Sequence, residues 1–355
     1  MSIRKWLCVS LILLFSIFAL IALTVYLVDP LQVYRMARFF LPPIDNTTQV
    51  YSNAGIARSY DYDSAIVGTS VTENFKPSEL SSHLGGSFIK LCTAGGNARN
   101  HKVLMDLAFR THHIRRIVFG LDIYSFIGSA DTPKVPLPMY LYNDNPFDDV
   151  NYFLNRSILG SFLPRCLSTL GQSQDPSLRD SMYSWAGRDP YGPDAVLYYA
   201  EFTPPVVNPQ AEEYPAQSIQ NLEQNLLPLI RENPETRFDI FLPPYNATEW
   251  STMKSRGSLE AMLKVRELCC DALLGLPNVH LYDFSARTDW VLNLDNYKDT
   301  THYGEWINSA IIRSIAAEEN LVTSREEFLN HSRLLALWAE LLMEARTWRE
   351  DLPIE

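Results

Sequence analysis

The chain has 355 residues, enough for one large or two ordinary domains. Its 30 Lys and Arg against 41 Asp and Glu leave a formal net charge of −11, which argues against a nucleic-acid partner, because non-specific binding to phosphates needs a basic face. Hydrophobic residues make up 46% and charged residues 20%, so the chain can bury a core and is not a disordered polymer.

The first predicted element is a membrane helix. No charged residue occurs from Leu7 to Val28, and a spanning helix needs about 20 apolar residues. A cleaved signal peptide has a shorter apolar region of about 7–15 residues followed by a cleavage site, which is not evident here. Because Arg4 and Lys5 precede the run, we expect a signal anchor over residues 1–30 that crosses the bilayer once, with the rest of the chain outside the cytoplasm.

A connecting stalk is predicted for residues 31–57 and the main domain for 58–320. Apolar runs alternate there with helical patterns, which is typical of crossover units and a parallel sheet. Five buried strands are predicted, at Ser64–Gly68, Phe88–Cys92, Ile117–Leu121, Phe238–Leu242 and Val279–Phe284. Helices are predicted at His101–His113, Gln217–Glu232 and Ser258–Leu274.

Residues 125–215 interrupt this alternation. They hold many Tyr and Pro residues and no strand rhythm, which predicts an inserted cap or lid. The aromatic side chains there could stack on a sugar ring or cover an acyl chain, or could simply pack the insert onto the sheet. The tail, 321–355, is predicted to be a helix from Ser324 to Glu350, since Ser324 and Glu327 form a capping-box pattern. Its role is packing on the domain, or a surface for a membrane or a partner protein.

Three short motifs carry candidate chemistry. The first is Gly68-Thr69-Ser70 at the end of the first strand. A Ser at this position stands at the carboxyl edge of the sheet, where the N–H groups of a following helix favour an oxyanion. The alternative is an ordinary helix N-cap.

The second motif is Asp299-Thr300-Thr301-His302. A serine nucleophile needs a base to take its proton, and the base needs a third group to orient it. Asp299 can orient His302 if both lie on one turn. The alternatives are a surface pair, or Asp299 as the N-cap of a helix running through Trp306 to Ala317.

The third motif is Thr93-Ala94-Gly95-Gly96-Asn97, just after the second strand. A Gly there exposes a backbone N–H of the kind that an oxyanion hole uses. The alternative is a plain turn with Asn97 or Asn100 capping the next helix.

In this order the three motifs resemble those of the SGNH (GDSL-type) hydrolase superfamily. The closest similarity is to its membrane-anchored bacterial branch, which includes alginate O-acetylation and D-alanyl-lipoteichoic acid biosynthesis proteins. Ser70 matches the nucleophile block, Gly95 the second block, and Asp299 with His302 the last. The third block departs from the pattern, because it reads Leu121-Asp122 where the superfamily has an oxyanion-binding Asn.

The resemblance implies a three-layer α/β/α, flavodoxin-like domain with a parallel sheet of about five strands. It implies a triad of Ser70, Asp299 and His302, with an oxyanion hole from Ser70, Val71, Gly95 and Asn97. The function implied is a serine esterase or O-acyltransferase that needs no cofactor or metal and acts on acyl esters, as of cell-envelope glycans.

The resemblance also implies a location in the bacterial inner membrane. Residues 7–28 would contact the lipid bilayer, with the catalytic domain in the periplasm or outside the cell and a membrane-protein partner as an option. The alternative function is a non-catalytic envelope scaffold or glycan-binding protein that keeps this fold.

Overall fold

A computed structural model describes residues 2–175 and 177–350. The chain divides into two compact units, Met1–Asp61 with Leu137–Leu178, and Tyr62–Pro136 with Arg179–Glu355. The smaller unit begins with the apolar helix Ile3–Val28, which is long and apolar enough to cross a membrane. Its length, composition and position fit either a membrane anchor or a signal sequence.

The apolar helix ends in a polar turn within the smaller unit. Asp29 follows it in a left-handed conformation and is 1% exposed. The Asp29 carboxylate accepts hydrogen bonds from the backbone N–H groups of Val33 and Tyr34 and from the Tyr152 hydroxyl. The other helices of this unit are short: Gln49–Ser59, Val150–Phe153 and Leu163–Ser168, with single turns at Met139–Leu141 and Ile158–Phe162.

The larger unit is built on a five-stranded parallel sheet, which confirms the predicted fold class. Its strands are β1 Ser64–Gly68, β2 Phe88–Cys92, β3 Arg116–Gly120, β4 Arg237–Leu242 and β5 Val279–Asp283. They pair in the order β2-β1-β3-β4-β5, which is the flavodoxin-like order of a doubly wound fold. All residues of β1 and β2 are buried, as expected for strands covered on both faces.

Helices cover both faces of this sheet. The helix Pro77–Leu84 packs against Glu305–Ala316, while Ala98–Thr111 packs with the segment Tyr214–Glu232, which in turn contacts Leu259–Leu273. This arrangement follows from right-handed crossovers that run in opposite directions from β1. Further helices lie at Leu178–Ser181, Pro193–Tyr199, Ala247–Ser255, Thr288–Val291 and Arg325–Glu350, with single turns at Ser70–Thr72, Ile123–Phe126, Pro209–Glu213 and Leu294–Asn296.

The strand order reverses beside β1, so a crevice forms where β1 and β3 end. Ligands of doubly wound sheets bind at such a switch point, outside the carboxyl ends of the strands. Ser70 lies two residues after the end of β1, and Asp122 lies two residues after the end of β3. The fold therefore brings both residues to the same edge of the sheet.

Candidate active site

The turn after β1 is held close to the sheet by two glycines. A Cβ at Gly68 or at Gly120 would lie only 2.6 or 2.5 Å from the Thr72 methyl group. Thr72 donates its hydroxyl to the Thr69 carbonyl and its backbone N–H to the same oxygen. Ser70 is the first residue of this turn, so its own N–H and that of Val71 have no carbonyl within the turn to bind.

The Asp299–His302 motif forms a closed turn. Asp299 Oδ1 accepts the backbone N–H groups of Thr301 at 2.9 Å and His302 at 2.8 Å. The Lys298 N–H donates to the His302 carbonyl, and Tyr297 bridges to Tyr303 across the turn. These bonds fix the backbone, so the spacing of three residues places the imidazole directly on the second carboxylate oxygen.

Ser70, His302 and Asp299 lie in one hydrogen-bonded row. Ser70 Oγ is 2.7 Å from His302 Nε2, and His302 Nδ1 is 2.7 Å from Asp299 Oδ2. Burial alone would raise the pKa of Asp299, but the hydrogen bond and charge of His302 outweigh it and lower that pKa to about 2. An ionised Asp299 can only accept, so in the neutral form of His302 the proton sits on Nδ1 and Nε2 can accept from the Ser70 hydroxyl.

Trp185 packs against this row. Its ring meets the His302 ring edge-on at 5.5 Å, and its Nε1–H donates to the Ser70 carbonyl at 3.2 Å. Asn74 Oδ1 accepts the N–H of Trp185, and the buried Lys90 donates Nζ to the carbonyls of Asp180 and Met182. Hydrogen bonds with Asn74, just after the turn that carries Ser70, and with Lys90 on β2 thus hold the segment that carries Trp185 in place.

A cavity of about 380 Å³ opens in front of the row. Ser70, Val71, Asp299 and His302 line it. Its lining also includes the polar side chains of Asp122, Tyr124, Lys134, Tyr245, Glu249 and Arg256. The serine hydroxyl therefore faces solvent-accessible space large enough for a small substituent.

Two carboxylates of this polar lining accept hydrogen bonds from hydroxyl groups. Asp122 accepts Thr69 Oγ1–H at 2.8 Å and Tyr245 O–H at 2.5 Å. The Tyr124 hydroxyl donates to Glu249, and burial raises the pKa of Glu249. After β3 the cavity lining therefore presents a hydrogen-bond acceptor, Asp122.

The remaining predicted site residues lie after β2. Gly95 is exposed in a left-handed conformation with φ 64°, and a Cβ there would meet nothing within 4 Å. Asn97 is a helix N-cap: its Oδ1 accepts the Asn100 N–H, and its amide hydrogens donate to the carbonyls of Ser129 and Thr132. The Asn97 amide is thus fully occupied within the fold.

Several site residues were not singled out by sequence reasoning. Trp185, Tyr245 and Glu249 each contact the row or the cavity wall. Tyr245 had a usable signal, because it follows the end of β4 and so lies at the same sheet edge. Glu249 and Trp185 carried none, since Glu249 lies in the first turn of a short helix and Trp185 in an irregular segment, and neither gives a register from which to place a side chain.

Comparison with known proteins gives little beyond this geometry. No family model and no curated protein matches the chain. Among solved structures, a Streptococcus pneumonia protein provisionally described as a platelet activating factor aligns over 77% of this chain and 91% of its own, at 10% identity and a TM-score of 0.38. A likeness at that score carries no argument about fold or activity.

Proposed function

We propose that the chain is a membrane-tethered, extracytoplasmic serine esterase or O-acyltransferase of the SGNH type, acting on acyl esters of cell-envelope glycans. The observation that carries the proposal is the row from Ser70 Oγ through His302 to Asp299, with both donor–acceptor distances at 2.7 Å. These are hydrogen-bond distances at which a base can take the serine proton. The row also opens onto a cavity, which a purely structural cluster does not need.

The proposed reaction passes through an acyl-serine. Ser70 Oγ attacks the ester carbonyl carbon while its proton moves to His302 Nε2, and Asp299 stabilises the imidazolium that results. The tetrahedral intermediate collapses, the C–O bond to the leaving alcohol breaks, and His302 returns the proton to that alkoxide. Water or a glycan hydroxyl then attacks the acyl carbon while its proton moves to His302 Nε2. The bond from that carbon to Ser70 Oγ breaks, His302 returns the proton to Ser70 Oγ, and the carboxylic acid or the acylated glycan is released.

The proposed oxyanion hole relies on backbone donors at Ser70, Val71 and Gly95. The loss of one donor typically costs on the order of 100- to 1000-fold in rate. Asp122 adds a carboxylate to the same cavity, and its negative charge opposes an oxyanion nearby. We therefore expect a slow enzyme compared with one that carries an amide at this position.

The proposed location follows from the first helix. Ile3–Val28 would sit in the bacterial inner membrane with Arg4 and Lys5 on the cytoplasmic side. The larger unit would then meet polymers in the periplasm or outside the cell. The tail helix Arg325–Glu350 packs one face on the larger unit, and the exposed Leu337 and Leu341 on its other side mark the surface we propose for a membrane-protein partner.

A covalent probe tests the proposal on the full-length chain in detergent micelles. A fluorophosphonate should label the wild-type protein; Ser70→Ala should abolish the label and His302→Ala should weaken it. Ser82→Ala is the matched control, because this exposed serine lies outside the cavity and donates only to the Glu79 carbonyl. If the wild-type protein is folded but is not labelled, the proposal that the chain is a serine enzyme is contradicted.

That contradicting outcome would favour the alternative, a non-catalytic envelope scaffold or glycan-binding protein. Asp122 is the observation that favours it, since an acceptor replaces the expected donor in the cavity. If labelling succeeds, incubation with an acetylated glycan and a competing sugar acceptor separates the two activities. Release of acetate indicates an esterase, and acetylated acceptor indicates a transferase.

A further inference from the structure

A second cavity of about 570 Å³ adjoins the first. Tyr199 and Asp299 line both cavities, so these two residues lie at the boundary between them. The second cavity is formed by residues 189–199 of the predicted insert and by the turn that carries Asp299. A molecule seated in the second cavity would reach Ser70 by extending a substituent past Tyr199 and Asp299.

Two aromatic rings are exposed at this cavity. Tyr198 is 81% exposed and Tyr199 is 55% exposed, and their rings meet edge-on with centroids 5.0 Å apart. Both lie on the short helix Pro193–Tyr199. Large aromatic side chains normally bury most of their surface, so a pair left open beside a cavity indicates a surface that a ligand covers.

The polar side chains that line the cavity are three carboxylates, one ammonium and three tyrosine hydroxyls. The carboxylates of Asp189, Asp194 and Asp299 line it, and the ammonium of Lys298 already binds Asp189 at 2.6 Å while lying over the Trp185 ring. Carboxylates accept hydrogen bonds and donate none, so they suit a ligand rich in hydroxyl groups.

Tyr191 also lines this cavity, and its ring packs against Trp306 at 5.0 Å. Within the described part of the chain its hydroxyl is closed off from solvent and has no hydrogen-bond partner. Burial, together with nearby carboxylates, raises the pKa of Tyr191 to about 12, so the hydroxyl stays protonated. The exposed rings and the carboxylates of the cavity, rather than this hydroxyl, are therefore the groups that a ligand would meet.

The charge of the cavity indicates whether the ligand is charged or neutral. Three carboxylates against one ammonium make this cavity net negative, and the chain as a whole carries −11. A polyuronate or a phosphate polymer would bring like charges together, which costs free energy in a partly buried site. An uncharged sugar avoids this cost and can still use the rings and the acceptors.

We propose that the second cavity is a subsite for an uncharged pyranose ring of the acylated glycan, stacked on Tyr198 and Tyr199. This proposal rests on the proposed function for the ester that reaches Ser70. It deepens that function, because it excludes polyuronates from the substrate class and assigns the selection to residues 189–199.

Binding can be measured without turnover on the full-length Ser70→Ala protein in detergent micelles. The probes are a panel of neutral tetrasaccharides (cello-, xylo-, manno- and N-acetylchitotetraose) and tetragalacturonate of equal length, with calorimetry or saturation-transfer NMR as the readout. At least one neutral probe should bind at least tenfold more tightly than tetragalacturonate. Tyr198→Ala should weaken its binding about tenfold.

Two variants sharpen the test. Leu197→Ala is the matched control, because Leu197 is a 42% exposed side chain on the same helix but does not line the cavity, and it should leave binding unchanged. Asp194→Lys should raise the affinity for tetragalacturonate, since it reverses one charge of the lining. Tetragalacturonate that binds as well as every neutral probe, or neutral binding that Tyr198→Ala leaves intact, would overturn the subsite.

The two proposals fail separately. If the fluorophosphonate labels Ser70 but no neutral tetrasaccharide binds through Tyr198, the serine chemistry stands and the subsite is wrong. If the tetrasaccharide binds through Tyr198 but Ser70 is never labelled, the subsite stands and the chain is a glycan-binding protein.

Discussion

Two aspartate–histidine pairs in the larger unit have nearly the same geometry. His302 Nδ1 lies 2.7 Å from Asp299 Oδ2, and His331 Nδ1 lies 2.8 Å from Asp283 Oδ2. Asp283 is the last residue of β5, whereas Asp299 lies in the turn before the helix Glu305–Ala316. Their surroundings differ in what else the carboxylate binds and in what faces the imidazole.

The Asp283 carboxylate is fully buried and has several donors. Arg266 is buried against it, and the N–H and hydroxyl of Ser285 donate to its other oxygen. The Arg266 guanidinium also lies over the Phe328 ring and donates to Ser332 on the tail helix. This pair holds the tail helix to the sheet.

The Asp299 pair has no such cation, and its imidazole points at a hydroxyl that opens to a cavity. The Asp299 side chain remains 19% exposed, whereas that of Asp283 is 0% exposed. An aspartate next to a histidine is therefore not by itself a catalytic signature. The two pairs differ in the exposure of the aspartate and in the third group of each, a serine hydroxyl for Asp299–His302 and a buried arginine for Asp283–His331.

The largest expected effect compares the two histidines. His302→Gln should lower kcat on a small acyl ester by on the order of 10⁴-fold or more, because the proposed base is removed. His331→Gln should change kcat less than about twofold, since Arg266 still neutralises Asp283. Steady-state kinetics on both purified variants checks this. Equal losses in the two variants would mean that the assignment of the base is wrong.

The second effect is on stability. Arg266→Met should lower the free energy of unfolding by about 3–5 kcal/mol, because it leaves the Asp283 carboxylate buried without its main cation. Chemical denaturation of the full-length protein measures the loss. Arg266→Met combined with Asp283→Asn should recover part of it, since the uncompensated charge is gone. A single variant that costs less than about 1 kcal/mol would show that the pair does not compensate the burial of Asp283.

The sheet and the serine row were predicted on different grounds. Buried parallel strands are continuous apolar runs, so Ser64–Gly68 and Phe88–Cys92 were placed at their actual bounds. The pairing of Ser70 with His302, 232 positions apart, came instead from the resemblance of the three motifs to the SGNH superfamily, because each motif alone also fits an ordinary turn or helix cap. The other strand predictions differ by one residue at one end or both, because a sequence does not show where pairing stops.

Other features were not predictable. The helix Gln49–Ser59 was missed because its buried side includes Ser52 and Asn53 rather than an apolar stripe. Asn97 could cap a helix or bind an oxyanion, and only the carbonyls of residues 129 and 132 decide how its amide is used. Such choices depend on where a distant loop passes, which local patterns do not encode.

The third expected effect is the pH dependence of the stability difference between wild type and Arg266→Met. Burial would raise the pKa of Asp283, but the charge of Arg266 and the His331 hydrogen bond hold it well below its ordinary value. A lowered pKa in the folded state contributes stability above the unfolded-state pKa and loses it as pH falls through the folded value.

Without Arg266 we expect the pKa shift of Asp283 to change from a lowering to a raising. Arg266 supplies the largest effect that lowers this pKa, and we expect burial to outweigh the His331 hydrogen bond once Arg266 is removed. The folded pKa should then lie above the unfolded value, so the penalty is relieved as pH falls and the carboxyl takes up a proton. The difference in unfolding free energy should therefore shrink between about pH 7.5 and pH 4.5. Denaturation curves across that range measure it, and a constant difference would contradict the account of Asp283.

The smallest expected effect concerns Trp185. Its ring packs against His302 of the serine row. Trp185→Phe keeps an aromatic ring against His302 but removes the hydrogen bond from Nε1 to the Ser70 carbonyl. A neutral hydrogen bond contributes about 1 kcal/mol, so kcat should fall about fivefold. Trp185→Leu removes the ring as well and should lower kcat further. If both variants keep wild-type kcat, the ring serves packing alone, and the row is held in place by the Asp299 turn rather than by its neighbours.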